Sequence, residues 1–162
     1  MGTRGTASVA GLPDFIVKNS TGQNPFAKHT DPLPGPVKIF GGYANGCLAG
    51  AAKLEKSGTG YEVLRLSRNR FFGHPNLVDL LKRAGTQAPL DMALLYGDMS
   101  QPHGGPMPKG HNSHQMGLDV DVWFKFLSAQ ERTVLTDDVR ENIQPTFVVA
   151  PDRQHVDTNW TS

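Results

Sequence analysis

Cysteine is all but missing from this 162-residue chain, where Cys47 stands alone. One thiol cannot close a disulfide within the chain or build a multi-cysteine zinc site, so any metal held here must be held by histidine and carboxylate. Net charge is nearly missing as well. Sixteen Lys and Arg stand against fifteen Asp and Glu, a balance of +1 that gives no global field to attract DNA, RNA or an anionic membrane, and no nucleic-acid partner is expected. Long apolar runs are lacking: the uncharged stretch 39–52 is 14 residues long and contains Gly, Tyr and Asn, short of the roughly 18 needed to cross a bilayer. No membrane span is expected, and no basic segment followed by an apolar one opens the sequence as a secretory leader would.

Glycine and proline are plentiful, 18 and 12 residues, which argues against long bundles and coiled coils and for one compact domain with many turns. Residues 1–37 read as a loosely ordered Pro/Gly-rich arm with only brief apolar clusters, and 38–162 as the folded portion. Strands are expected at 38–43 and 61–66, both rich in β-formers. Pro75 suits the first position of a helix, with His74 as its cap. Leu77, Val78, Leu81 and Ala84 then mark an apolar face until Gly85 ends the run. Met92 to Tyr96 reads as a buried strand that delivers the chain to a Gly/Pro/His loop, 97–113. From Leu118 to Phe124 aliphatic and acidic residues alternate, which as a strand puts Asp119 and Asp121 on one face. Ser128 and Glu131 form a capping box for a helix reaching about Leu135, and Thr146 to Val149 reads as a last short strand.

The chemistry is concentrated in the histidines. His103, His111 and His114 fall within twelve positions, and Asp121 follows on the polar face of the next expected strand. Loop and strand thus bring imidazole and carboxylate together, donors that suit Zn²⁺. Such an ion lowers the pKa of a water bound to it and polarises a scissile carbonyl, so metal-assisted hydrolysis is the expected chemistry. Asp152 and His155 repeat the two-residue gap of His111 and His114 in another Pro-initiated loop. Five candidate donors exceed the three of an ordinary catalytic zinc, so either two ions are bound or some of these side chains orient the imidazoles of others. His103 reads as a surface loop histidine, Arg65, Arg68, Arg70 and Lys109 as solvated surface, and neither Cys47 nor a serine has the surroundings of a nucleophile.

The segments Gly97-Asp98-Met99-Ser100-Gln101-Pro102-His103-Gly104-Gly105 and Gly110-His111-Asn112-Ser113-His114-Gln115-Met116-Gly117-Leu118-Asp119-Val120-Asp121 resemble the penicillin-insensitive murein endopeptidases. These are zinc peptidases grouped with lysostaphin, the D-Ala-D-Ala metallopeptidases and the sonic hedgehog fold. Asn45-Gly46-Cys47, Arg70 to Pro75 and Asp152 to His155 extend the resemblance from about Val37 to the C-terminus. It implies that His114 and Asp121 ligate the catalytic zinc and that His111, Asp152 and His155 match further metal-contacting positions. It also implies that Cys47 matches a position that pairs with a C-terminal cysteine. The family completes its zinc with the second histidine of a downstream His-x-His, whose first histidine assists proton transfer. This sequence contains no His-x-His, so no catalytic proton-transfer residue is assigned within it, and the chain reads as the N-terminal portion of a longer enzyme or as a natural truncation.

The expected fold is therefore α+β, an antiparallel sheet carrying the metal site with helices packed to one side, of hedgehog/DD-peptidase type and incomplete at its C-terminus. The expected function is zinc-dependent cleavage of D-alanyl–diaminopimelyl cross-links, with peptidoglycan stem peptides as substrate and the periplasm as location. The alternative is a truncated, inactive metal- or peptidoglycan-binding module.

Overall fold

The computed structural model describes residues 24–107 and 112–157. Strands β1 (Lys38–Gly42) and β2 (Asn45–Ala49) form an antiparallel hairpin, and β3 (Ala52–Lys53) pairs with β6 (Phe72–Gly73). The principal sheet has the order β4 (Ser57–Gly58), β5 (Tyr61–Val63), β7 (Met92–Tyr96), β8 (Val122–Ser128). The class is α+β as expected. Its sheets are antiparallel except at β5 and β7, which run parallel. A parallel pair needs a long crossover, and this one contains helix α1 (Pro75–Thr86).

Local chemistry explains α1. Pro75 lacks an N–H that would be orphaned at that position anyway, and His74 Nδ1 accepts from Asn76 N at 3.1 Å, capping the first turn. Gly85 lies inside the helix rather than ending it. A Cβ there would come within 2.5 Å of Thr59 O, so glycine is what lets the helix press against the turn between β4 and β5.

Val78 and Leu81 on α1 pack with Leu54, Tyr61, Val63, Tyr96 and Met99 on one face of the sheet. On the other face Leu64, Leu95 and Leu127 are covered by Trp123, Leu135 and Ile143. The sheet is therefore covered on both faces, not one. Burial of each such side chain contributes about 1.5–3 kcal/mol. The capping box at Ser128 forms as read from sequence and starts α2 (Ala129–Thr133). A further helix, α3 (Asp137–Asn142), begins at the Thr136 cap and places Leu135 and Ile143 at its two ends.

Three expected strands differ. The one read at 61–66 ends at Val63, where Arg65 turns into left-handed backbone and Leu66–Arg68 form a short 3-10 helix. Ladder pairing on the Leu118–Phe124 stretch begins only at Val122, so Asp119 and Asp121 lie on the approach to β8. Leu118, Val122 and Phe124 are exposed, and along β8 exposure alternates without a break past the irregularity at Leu94/Leu95, so that Trp123 and Leu127 turn to the core. Thr146 to Val149 forms no strand: among the described residues it has no sheet neighbour and contributes one bridge, Val149 to Val156.

Candidate metal centre

The site is built on the turn 114–117, wedged between the β1–β2 hairpin and the start of α1. His114 has φ 65° and Gly117 φ 65°. Left-handed backbone costs a non-glycine residue roughly 1–2 kcal/mol, so His114 must be held there by its surroundings, as residues at functional sites often are. The restraints are visible. Gln115 accepts from Gly46 N at 3.1 Å and donates to Ala44 O at 2.9 Å. Gly105 N donates to Gln115 O at 3.0 Å, and His74 N donates to Gly117 O at 2.7 Å.

At Gly117 a Cβ would lie 2.5 Å from Leu48 Cδ2 and 2.9 Å from Gly73 Cα. Gly117→Ala is thus expected to lower stability by about 2–3 kcal/mol, combining left-handed strain with overpacking. A lower urea midpoint at unchanged slope would report it, and an unchanged midpoint would contradict it.

His114 is 3% exposed and faces two carboxylates. Asp119 Oδ2 lies 2.8 Å from Nδ1, and Asp121 Oδ1 lies 3.4 Å from Nε2. Burial works against a charged ring, but the hydrogen bond to Asp121 and the charges of Asp119, Asp121 and Asp98 outweigh it, and the His114 pKa is raised. Asp119 Oδ2 also accepts from His114 N at 3.3 Å and from Tyr43 Oη at 3.4 Å. Asp119 thus sets a carboxylate beside Nδ1, on the side of the ring away from Asp121, the place from which a metal-ligating histidine is usually oriented. Two donors on a tetrahedral zinc with bonds near 2.1 Å stand about 3.4 Å apart, which is the separation of Nε2 and Asp121 Oδ1. The donor pair fits such an ion.

The remaining candidates are placed differently. His111 lies outside the described residues. Asp152 and His155 sit in an exposed turn, where Asp152 Oδ1 accepts from Gln154 N at 2.9 Å and Oδ2 lies 2.6 Å from His155 Nδ1. The Gln154 N–H, then the His155 hydrogen bond, hold the Asp152 carboxyl below its ordinary range. Among the described residues no three His, Cys, Asp or Glu side chains converge as a metal set. Asp152 and His155 are a local pair of their own. Cys47, on β2, is 4% exposed, and burial pushes its thiol pKa up.

Four side chains around the site differ from their sequence reading or escaped it. His103 is 4% exposed, not a surface residue, because residues 24–31 fold over its loop. His29 stacks on its ring at 3.7 Å between centroids, and Asn24 Nδ2 donates to Pro106 O. Arg70 is not solvated surface but paired with Asp98 at 2.7 Å. Tyr43 and Gln115 join the site from 71 to 76 positions' separation. No spacing rule reaches that far.

The model of the family described as penicillin-insensitive murein endopeptidase matches residues 39–162. Proteins carrying that name are similar to this chain. One from Haemophilus influenzae is 41% identical over 112 residues, 66% of this chain and 39% of the relative. One from Yersinia pestis is 43% identical over 103 residues, 62% and 38% of the two lengths. One from Salmonella paratyphi C is 40% identical over 119 residues, 72% and 43%. The chain thus spans about two fifths of the length of the relatives it matches.

Proposed function

This chain belongs to the penicillin-insensitive murein endopeptidase family, and from that premise we propose that His114 and Asp121 hold a zinc ion used to cleave D-alanyl–diaminopimelyl cross-links between peptidoglycan stem peptides in the periplasm. The observation that carries this reading is the 3.4 Å separation of His114 Nε2 and Asp121 Oδ1, with Asp119 Oδ2 2.8 Å behind Nδ1. Zinc bound there supplies Lewis-acid activation of water and of the scissile carbonyl. The chain's own residues do the rest. His114, fixed in left-handed backbone, presents Nε2; Asp119 keeps the proton on Nδ1; Asp121 contributes charge and the second donor. A catalytic zinc takes three protein donors, and in this reading the third is the family's downstream histidine. His111, Asp152 and His155 are further metal contacts in the same reading.

A second reading follows from the two donors, rather than three, brought together among the described residues: a module that binds metal or peptidoglycan without turnover. Purified chain, prepared without chelator at neutral pH, is expected to hold one equivalent of zinc by elemental analysis. Cross-linked muropeptide dimers incubated with it then separate the readings by mass spectrometry. Monomeric stem peptides support the endopeptidase, intact dimers with bound zinc support the module, and released sugars contradict the proposed bond. A chain free of zinc overturns the metal reading.

A further inference from the structure

Asp121 is held from behind by a buried ion-pair cluster. Gly97 N donates to Asp121 O at 2.7 Å and Asp121 N donates to Asp98 O at 3.0 Å, so the backbone on both sides of this carboxylate is bonded to residues 97 and 98. The Asp98 side chain is itself anchored. Its Oδ2 meets Arg70 Nη1 at 2.7 Å and Arg68 Nη1 at 2.9 Å, and the carboxylate is 2% exposed where Arg70 is 11% and Arg68 42%. Arg70 is tied to the same segment through its backbone, since Met99 N donates to Arg70 O at 2.8 Å and Ser100 N to Phe72 O at 2.9 Å.

Burying a carboxylate against two guanidiniums is a poor route to stability, because desolvation offsets most of the attraction. What such a cluster does supply is geometry. Residues 97 and 98 follow the last residue of β7, and the paired arginines reinforce the position in which their backbone bonds Asp121 on both sides. We propose that Asp98, clamped by Arg68 and Arg70, is the positioning residue of the site, setting Asp121 so that its carboxylate stands ready beside His114. This rests on the reading of Asp121 as a metal donor.

Asp98→Asn keeps the shape and the backbone carbonyl but removes the charge that holds both arginines. In the metal-free chain, hydrogen exchange at the Asp121 amide is expected to speed by about tenfold, while the Leu64 amide, bonded to Tyr96 O at 2.8 Å in the core, keeps its rate. Zinc affinity is expected to fall about 10–100-fold, as for loss of a group orienting a ligand. Arg70→Gln is expected to reproduce the pattern and Arg70→Lys to restore much of it. Exchange at Asp121 unchanged, or accelerated equally at Leu64, overturns the proposal. If Asp98→Asn does not fold, the half-exposed Arg68→Gln carries the same test at smaller amplitude. The exchange arm needs no metal: selective acceleration in a protein that binds no zinc upholds the positioning role and overturns the metal reading. Unchanged exchange with normal zinc binding does the reverse.

Discussion

Zinc titrated into His114→Ala is expected to bind more than about 100-fold more weakly than into the parent chain, a loss beyond that of an outer contact. Asp121→Ala should behave alike, because each substitution removes one of the two donors that stand 3.4 Å apart. Asp119→Ala should cost less, about 10–100-fold, since that carboxylate orients the ring through Nδ1 rather than meeting the ion. Asp152→Ala distinguishes one ion from two: stoichiometry and affinity unchanged mean that the exposed pair is independent, and loss of a second equivalent means that it holds its own ion. The pH dependence has a definite sign. Zinc needs the neutral ring, and the raised His114 pKa means that protons compete above the ordinary value of about 6.5. Affinity should therefore climb with pH through that raised range. Metal-free stability runs the other way. The His114 contribution is fully present below about pH 6.5 and is lost as pH rises through the folded-state pKa. Affinity independent of pH between 6 and 8, an interval set about the ordinary histidine value, would place the ion on other donors.

Local signals in the sequence translated well into structure. The strand Met92–Tyr96, the proline-started helix with its His74 cap and the Ser128 capping box were all readable because each depends on groups within four residues of one another. The meeting of His114 with Asp121 is likewise readable, since they lie seven positions apart with one turn between them. What escaped were features fixed across the chain. The alternation at Leu118–Phe124 suggests a strand, but whether a ladder forms depends on the neighbour: Asp121 bonds to residues 97 and 98 beyond the end of β7, and in the ladder that does form Trp123 and Leu127, not Val122 and Phe124, face the core. Apolar character at 146–149 suggests a strand, yet among the described residues the segment joins no sheet edge. Charge pairing across the chain is hidden for a similar reason. Arg70 looks like any surface arginine until Asp98, 28 positions away, is seen to lie against it. His103 looked exposed because its cover comes from His29, across 74 positions of chain.

Arg140→Ala is expected to destabilise the chain by about 3–5 kcal/mol, the range for breaking one partner out of a buried ion pair. The arginine comes from α3, yet its guanidinium reaches under β5. Nη2 donates to Glu62 Oε2 at 2.7 Å and to Ser57 Oγ at 2.9 Å, and Nη1 donates to Val63 O at 3.0 Å and Lys56 O at 3.1 Å. The two side chains are 5% and 4% exposed. Alanine would strand the Glu62 carboxylate with Arg132, 2.7 Å away but 30% exposed, as its one remaining cation partner in the cluster. It would also leave Val63 O without this donor. Arg132→Ala should cost less, because its pair is partly screened by water. Replacing both buried partners, Glu62→Leu with Arg140→Met, should recover most of the loss, since an apolar pair pays no desolvation. Urea unfolding of the three variants tests this. A double variant as unstable as Arg140→Ala would mean that the hydrogen bonds from α3 to β5, rather than the unpaired charge, carry the energy.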